Sequence, residues 1–184
     1  MVTDRPNLRE ETISSERVYS GRILDLDVDQ VRLPSGTEAE REVIRHLGAA
    51  VVLPLLDGGR TILVNQFRYP MGEELLELPA GKLDPGEDPA ECAARELAEE
   101  TGWRAGEIHD LGSFFTTPGF TDEVLHAFVA TGLEHSPGIE PDPDEAIEIV
   151  TMTVEEALEA CHDSRIRDGK TLATILLAQL NGYI

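Results

Sequence analysis

The chain has 184 residues, 41% of them hydrophobic, and carries 36 acidic against 15 basic side chains, a net charge of −21 at pH 7. This length is enough for one domain with a sizeable core. The acidic excess argues against a nucleic-acid-binding protein, which needs a basic face, and against docking on an anionic membrane surface.

The sequence contains few signals that bear on the cellular compartment of the protein. The N-terminal residues 1–20 are polar without an apolar core, so we expect no signal peptide. The longest apolar run, residues 47–56, is too short to span a membrane. The two cysteines, Cys92 and Cys161, lack CxxC spacing, which argues against a disulfide or zinc site and favours the reducing cytoplasm.

The first third of the chain predicts a β arm over residues 12–47. Residues 24–29 alternate Leu, Asp, Leu, Asp, Val and Asp, the period-2 pattern of a half-buried strand whose apolar side chains face inward. A turn at 34–36 and a second strand at 41–47 complete a hairpin over residues 22–47.

Two central strands and a loop come next. Residues 49–56 are apolar enough for a strand buried on both faces. A tight turn at 57–59 leads to a partner strand at 61–68. Residues 73–79 form a short segment that leads into a loop at Ala80-Gly81.

A helix follows, with clear start and stop signals. Asp88 is a good N-cap, Pro89 suits the first helical position, and Gly102 is a C-cap. Glu96 and Glu100 lie one turn apart at the edge of an apolar face. Mostly small residues make up that face, which predicts close packing on the sheet: Ala90, Ala93, Ala94, Leu97, Ala98 and Thr101.

The last third predicts strands at 108–115, 124–130 and 147–152, loops at 116–123 and 138–146, and two helices. Thr153 and Glu156 predict a capping box for the first helix. The last helix starts at Asp168 and has an apolar stripe of Leu172, Ile175, Leu176 and Leu180. Strands and helices alternate without a repeat or linker, so we expect one α/β domain over 1–184. Its predicted form is an α/β/α sandwich on a mixed β-sheet with an N-terminal β-hairpin arm.

The acidic helix suggests a cation site. Glu96, Glu99 and Glu100 repel one another on one short element. Hard divalent cations such as Mg²⁺ take carboxylate oxygens, so a bound cation would offset this repulsion. The alternative is a solvated acidic face.

One motif bears on this choice. Gly81, five residues, Glu87, seven residues and then Arg95-Glu96-Leu97-Ala98-Glu99-Glu100-Thr101-Gly102-Trp103 resembles the Nudix box at every defined position. The resemblance implies a Nudix hydrolase with a Nudix-type fold, which cleaves a nucleoside diphosphate linked to another moiety with Mg²⁺ or Mn²⁺.

The resemblance also implies site residues. The metal ligands would be the Ala80 carbonyl, Glu96, Glu100 and Glu99, with Glu99 and Arg95 counted in the catalytic element. Arg95 would brace the loop through an ion pair, for which Glu87 is the candidate partner.

The subgroup is indicated by residues 65–70 (NQFRYP), 77–81 (ELPAG) and 116–123 (TTPGFTDE), which resemble the ADP-ribose pyrophosphatase group. The related GDP-mannose hydrolases share much of this. The substrate contacts implied are Arg41, Glu42, Arg68, Lys82, Thr117 and Glu123. Physically, the planar fork of Arg68 suits a phosphate or a ribose. Arg41 and Glu42 have the alternative of a cross-strand surface pair worth little.

The water-activating carboxylate in this group comes from a late loop, here 138–146. The -Glu-x-Ile- pattern selects Glu145 as the general base, with Glu140, Asp142 and Asp144 as competitors.

The activity so implied is hydrolysis of ADP-ribose to AMP and ribose 5-phosphate by a cytoplasmic homodimer joined through the β arm. The alternatives are a GDP-mannose or other nucleotide-sugar hydrolase, and a non-catalytic Nudix-fold ligand sensor.

Overall fold

The computed structural model describes residues 7–136 and 146–184, which belong to two compact units. The first unit comprises residues 1–46 and 117–123, and the second comprises 47–116 and 124–184. Among the described residues, no helix is long and apolar enough to cross a bilayer.

The first unit is a three-stranded antiparallel sheet with strand order β1-β2-β3. Its strands are β1 (Glu11–Ser20), β2 (Asp25–Arg32) and β3 (Glu38–Arg45). Strands β2 and β3 are the predicted hairpin, and Gly36 at φ +87° closes their turn. Strand β1 adds a third strand to the hairpin that the sequence predicts.

The more buried face of β2 is the one that carries the aspartates, not the predicted apolar one. Asp27 and Asp29 are buried, whereas Leu26 and Val28 are only half-buried. Two arginines explain this arrangement. Arg45 donates from Nε to Asp27 at 3.0 Å and from Nη2 to Asp29 at 2.7 Å, and Arg17 also pairs with Asp27. Buried charges persist when they are paired, and alternation alone does not reveal which face has such partners.

The second unit contains the remaining elements in chain order: β4 (Ala49–Leu56), β5 (Arg60–Arg68), β6 (Glu73–Glu77), β7 (Ala80–Lys82), α1 (Pro89–Thr101), β8 (Trp103–Arg104), β9 (Glu107–Phe115), β10 (Val124–Thr131), β11 (Glu134–His135), β12 (Ile147–Thr153), α2 (Val154–His162) and α3 (Gly169–Leu180). Seven strands form its main sheet in the order β12-β5-β4-β10-β9, with β6 paired to β5 and β7 to β4. Strand β10 is parallel to β4 and antiparallel to β9, so the sheet is mixed.

Strand β4 is buried on both faces, as predicted. Ala50 and Val52 pack in one cluster with Leu97 of α1. Val51 and Leu53 pack on the opposite face, in a cluster that includes residues of α2 and α3. Helices therefore cover both faces of the sheet, which confirms the α/β/α sandwich.

The sheet splits between β4 and β5, and this split positions the chain that leads into Ala80 and Gly81 of the motif. The two strands pair only at Leu55↔Thr61 and Leu56↔Arg60. Beyond that point β7 takes the edge of β4, and β6 takes the edge of β5. The Val52 N–H donates to the Pro79 carbonyl at 3.0 Å, which fixes the chain between β6 and β7 inside the split.

The helix boundaries follow the predicted caps, including the Thr153–Glu156 capping box of α2. The stripe of α3 is only partly buried: Ile175 is in the core, whereas Leu172, Leu176 and Leu180 are exposed. The remaining buried face of α3 comes from small side chains, Thr171, Thr174 and Ala178. Small residues let a helix approach a sheet closely, and leucine periodicity does not reveal them.

Candidate active site

Helix α1 presents three glutamates to different environments. The Asp88 side chain accepts from the Ala90 N–H at 2.9 Å, and Gly102 ends the helix in the left-handed conformation. Glu100 is buried, the Glu96 side chain is 15% exposed, and that of Glu99 is 45% exposed. An isolated surface helix would leave all three in solvent, so the fold holds Glu96 and Glu100 inward.

The Ala80–Gly81 segment of β7 receives two of these carboxylates. Glu100 Oε2 accepts from the Ala80 N–H at 3.2 Å. A Cβ on Gly81 would lie 1.8 Å from Glu96 Oε1, so only glycine leaves room for that carboxylate. The spacing between Gly81 and Glu96 in the motif is therefore a packing requirement.

Arg95 ties the motif together. It donates to Glu87 through a fork, Nε–Oε1 at 2.9 Å and Nη2–Oε2 at 3.1 Å. Its Nη1 donates to Glu96 at 2.7 Å and to Glu99 at 3.0 Å, and its Nη2 to the Lys82 carbonyl at 3.2 Å. One guanidinium thus links the loop before the helix to two of its acidic side chains.

Glu87 and Arg95 stabilise each other's charged forms. Hydrogen bonds from the Arg95 guanidinium and the Asp84 N–H lower the pKa of Glu87 to about 2. The same bonds to Glu87 raise the pKa of Arg95 above its usual value. Burial raises the pKa of the neighbouring Cys92 thiol to about 12, which leaves it a small buried hydrophobe without nucleophilic character at neutral pH.

The donor set fits a hard divalent cation. Glu96, Glu99, Glu100 and the Ala80 carbonyl supply only oxygen donors, the kind that Mg²⁺ and Mn²⁺ prefer. The space at Gly81 that a Cβ would fill is where the Glu96 carboxylate lies. Among residues 7–136 and 146–184, no three His, Cys, Asp or Glu side chains form a preassembled metal-ligating group. Arg95 donates to two of the candidate ligands, Glu96 and Glu99.

A network that the sequence did not suggest lies at the end of β6. Arg68 donates to the buried carboxylate of Glu77, Nε–Oε1 at 2.9 Å and Nη2–Oε2 at 2.6 Å. Lys170 of α3 donates to the same carboxylate. Burial alone would raise the pKa of Glu77, but the Arg68 hydrogen bond and the Lys170 charge outweigh it and lower the pKa. Glu77 lies in the segment ELPAG, but its partner Lys170 is 93 residues away, so only tertiary structure reveals the pairing.

Lys82, the other predicted substrate contact of this unit, is exposed on β7. A cavity of about 420 Å³ lies beside α1, lined by Arg95, Glu99, Arg104 and three alanines, Ala94, Ala98 and Ala105. Glu96 and Glu100 are absent from this described lining, so the cavity is not the carboxylate cluster.

The first unit holds the other predicted substrate contacts. Arg41 pairs with Glu10, Nη2–Oε1 at 2.7 Å, while Glu42 is the next residue on β3 and so projects from the opposite face. Arg41 therefore makes a surface pair, and its partner is Glu10. The Thr117 carbonyl accepts the N–H of Phe120. Glu123 lies 3.6 Å from His46 Nδ1.

The predicted general base, Glu145, lies outside the described residues, as do its competitors Glu140, Asp142 and Asp144.

The geometry and the motif together describe a protein that holds carboxylates against Ala80 and Gly81 of β7, and comparison with known proteins identifies its family. The NUDIX domain model matches residues 44–174, and the model of the nucleoside diphosphate sugar hydrolase N-terminal domain matches residues 10–44. The chain belongs to the Nudix family.

Similar proteins cover nearly the whole chain. An ADP-ribose pyrophosphatase of Bacillus subtilis (strain 168) is 42% identical over 95% of each chain. A methanol dehydrogenase activator of Bacillus methanolicus is 42% identical over 93% of each. The crystal structure of an ADP compounds hydrolase matches with a TM-score of 0.85 at 21% identity, over 97% of this chain and 99% of that one, which supports the fold.

Proposed function

We propose that this chain is a divalent-metal-dependent hydrolase that cleaves ADP-ribose to AMP and ribose 5-phosphate. The observation that carries the proposal is the inward placement of Glu96 and Glu100 against Ala80–Gly81, braced by Arg95. Family membership and the Bacillus subtilis relative support the substrate. A cytoplasmic location suits this substrate and the free cysteines, and we propose it as well.

We propose the following roles for the residues of the site. Glu96, Glu100, Glu99 and the Ala80 carbonyl would hold Mg²⁺ or Mn²⁺. Such a cation, when bound, neutralises diphosphate charge and polarises phosphorus. Arg95 keeps Glu96 and the 82–87 loop in register, since it bonds both. Arg68 would take a phosphate oxygen, while Arg41, Glu42, Lys82, Thr117 and Glu123 would contact the substrate.

Glu145 is proposed as the general base on its sequence position. It would remove a proton from the attacking water as that oxygen bonds to phosphorus and the bridging P–O bond breaks. The bridging oxygen leaves on the departing phosphate, so one water is consumed for each ADP-ribose.

A substrate panel tests the proposed function. We expect kcat/KM for ADP-ribose to exceed that for GDP-mannose, a flavin dinucleotide and NADH by at least about tenfold, a difference of about 1.4 kcal/mol in transition-state binding. Steady-state rates with Mg²⁺ and with Mn²⁺, and chromatography of the products, measure this. Equal rates on all four compounds, or none on ADP-ribose, would reject the assignment.

The second candidate is a nucleotide-sugar hydrolase such as one for GDP-mannose. The match of residues 10–44 to the nucleoside diphosphate sugar hydrolase N-terminal domain favours it. In the same panel it predicts GDP-mannose as the preferred substrate. A non-catalytic ligand sensor would bind a panel compound without turnover.

We also propose that the first unit joins two copies of the chain. Strand β1 and the turn after it leave large apolar side chains in solvent, namely Ile13, Val18, Tyr19, Ile23 and Leu24, each at least 36% exposed. Strand β2 buries paired aspartates, while β1 and the turn after it leave these apolar side chains in solvent, an arrangement that suits coverage by a second copy.

Light scattering after size-exclusion chromatography tests this association. We expect twice the 20.2 kDa chain mass for the natural sequence and the single chain mass for Ile13→Asp/Val18→Asp. Leu180→Asp, at a more exposed apolar side chain on α3, is the control and should keep the doubled mass. A natural chain that elutes as a monomer at micromolar concentration would contradict the proposal.

A further inference from the structure

The first turn of α3 contacts two consecutive residues, Glu77 and Leu78, where β6 ends. Lys170 Nζ lies 2.5 Å from Glu77 Oε2 and 2.9 Å from Asp168 Oδ2. Thr171 Oγ1, fully buried, accepts from the Leu78 N–H at 2.9 Å and donates to Asp168 at 2.6 Å. Asp168 is the N-cap of the helix, so a single turn connects the cap to Glu77 and to Leu78.

Glu77 in turn orients Arg68. Its carboxylate is 2% exposed and occupies Nε and Nη2 of the guanidinium, whose side chain is 40% exposed. Among the described residues Nη1 makes no hydrogen bond, so it is the edge of the guanidinium available to an oxyanion. A two-point fork fixes the plane of the guanidinium and therefore the direction of Nη1.

Lys170 supplies a second positive charge beside Glu77, which this orientation of Arg68 requires. A carboxylate buried with one cation would draw Arg68 into a closed pair and cancel its charge locally. A second cation on Glu77 Oε2 shares that negative charge and holds the carboxylate in place from the α3 side. The side chain of Lys170 is only 16% exposed, which leaves it little freedom to move away.

We propose that Lys170 is a positioning residue for substrate binding, which acts through Glu77 to hold Arg68 Nη1 toward a phosphate oxygen of a nucleoside diphosphate. This inference rests on the proposed function, because it gives Arg68 a diphosphate to bind. Lys170 itself contacts no substrate atom in this scheme. The competing explanation is a purely structural tie between α3 and the sheet.

Kinetics of Lys170→Met and Lys170→Gln on ADP-ribose distinguish the two explanations. We expect KM to rise about tenfold with kcat within about twofold, since an interaction made equally in ground and transition states changes KM alone. Binding of methylene-bridged ADP-ribose, measured by calorimetry, should weaken by the same factor. Lys170→Arg, which keeps the cation, should recover KM to within about threefold.

A double-mutant cycle tests the route through Glu77. In a Glu77→Gln background, Lys170→Met should change KM by less than about twofold, because the link to Arg68 is already broken. Arg167→Met is the matched control: it removes a neighbouring cation that pairs with Glu73 in solvent, and it should leave KM unchanged.

Three results would overturn the inference. The first is an unchanged KM in folded Lys170→Met, and the second is an equal rise in both backgrounds. The third is loss of the folded circular dichroism spectrum in both Lys170→Met and Lys170→Gln, which would show that the network serves the stability of the fold. If the natural chain neither binds nor hydrolyses any nucleoside diphosphate, the proposed function itself fails, and this outcome differs from all three.

Discussion

Replacing Glu96 or Glu100 by glutamine is expected to lower kcat/KM for ADP-ribose about 1000-fold. Each change removes one negative charge and one hard oxygen ligand while it preserves the shape of the side chain. A cation contributes several kcal/mol of charge stabilisation to phosphoryl transfer, and about 4 kcal/mol corresponds to a factor of about 1000.

The structure indicates that glutamine at position 100 changes the charge with little change in the local structure. In Glu100→Gln the new side-chain amide oxygen can still accept from the Ala80 N–H, which Glu100 does at 3.2 Å, so the loop should keep its position. Glu91→Gln is the matched control, because Glu91 is exposed on the same helix. Mg²⁺ titration by calorimetry gives a second readout. Near-natural rates in both Glu96→Gln and Glu100→Gln would show that these glutamates of the motif are not required for catalysis.

The local signals in the sequence were sufficient for α1. Asp88, Pro89 and Gly102 act within a few residues of themselves, so the sequence predicts the helix ends correctly. The central strand β4 was equally predictable from the sequence, because a continuous apolar run at 49–56 has no polar face to leave in solvent. Such features depend on nearest neighbours and on burial alone.

Features that depend on distant partners were not predictable. The alternation in β2 shows two faces, but which face is buried depends on Arg17 and Arg45. The environment of Glu77 likewise depends on Lys170, which the fold brings to it from 93 residues away. Charged side chains became buried in both cases, and hydrophobic periodicity contains no information about how a charge is paired.

The two arginines of the site illustrate the same distinction. The resemblance to the Nudix box implied the role of Arg95 as a brace with Glu87 as the candidate partner, and the structure shows that ion pair. Arg68 was assigned to the substrate from its fork geometry and its place in a family motif. The structure adds that most of this fork already holds Glu77, which makes the orientation of Arg68, and not merely its presence, the quantity that sets substrate affinity in the proposed scheme.

Gly81→Ala is expected to lower kcat about 100-fold with only a small change in stability. A Cβ at this position would lie 1.8 Å from Glu96 Oε1 and 2.0 Å from Cδ, so the Glu96 carboxylate must move away. The backbone of Gly81 is not in the left-handed region, so alanine brings no conformational strain and the effect comes from this displacement. A loss of about 3 kcal/mol of transition-state stabilisation corresponds to this factor.

Stability should change little because the displaced atoms are the far end of a flexible side chain and the core around Leu97 is untouched. Gly169→Ala is the matched control, since a Cβ there meets nothing within 4 Å. Addition of Gly81→Ala to Glu96→Gln should cost less than about threefold more, because both act on the same carboxylate. Rates and thermal unfolding of the four variants measure this. Full activity of Gly81→Ala would show that the inward position of Glu96 is not the catalytic one.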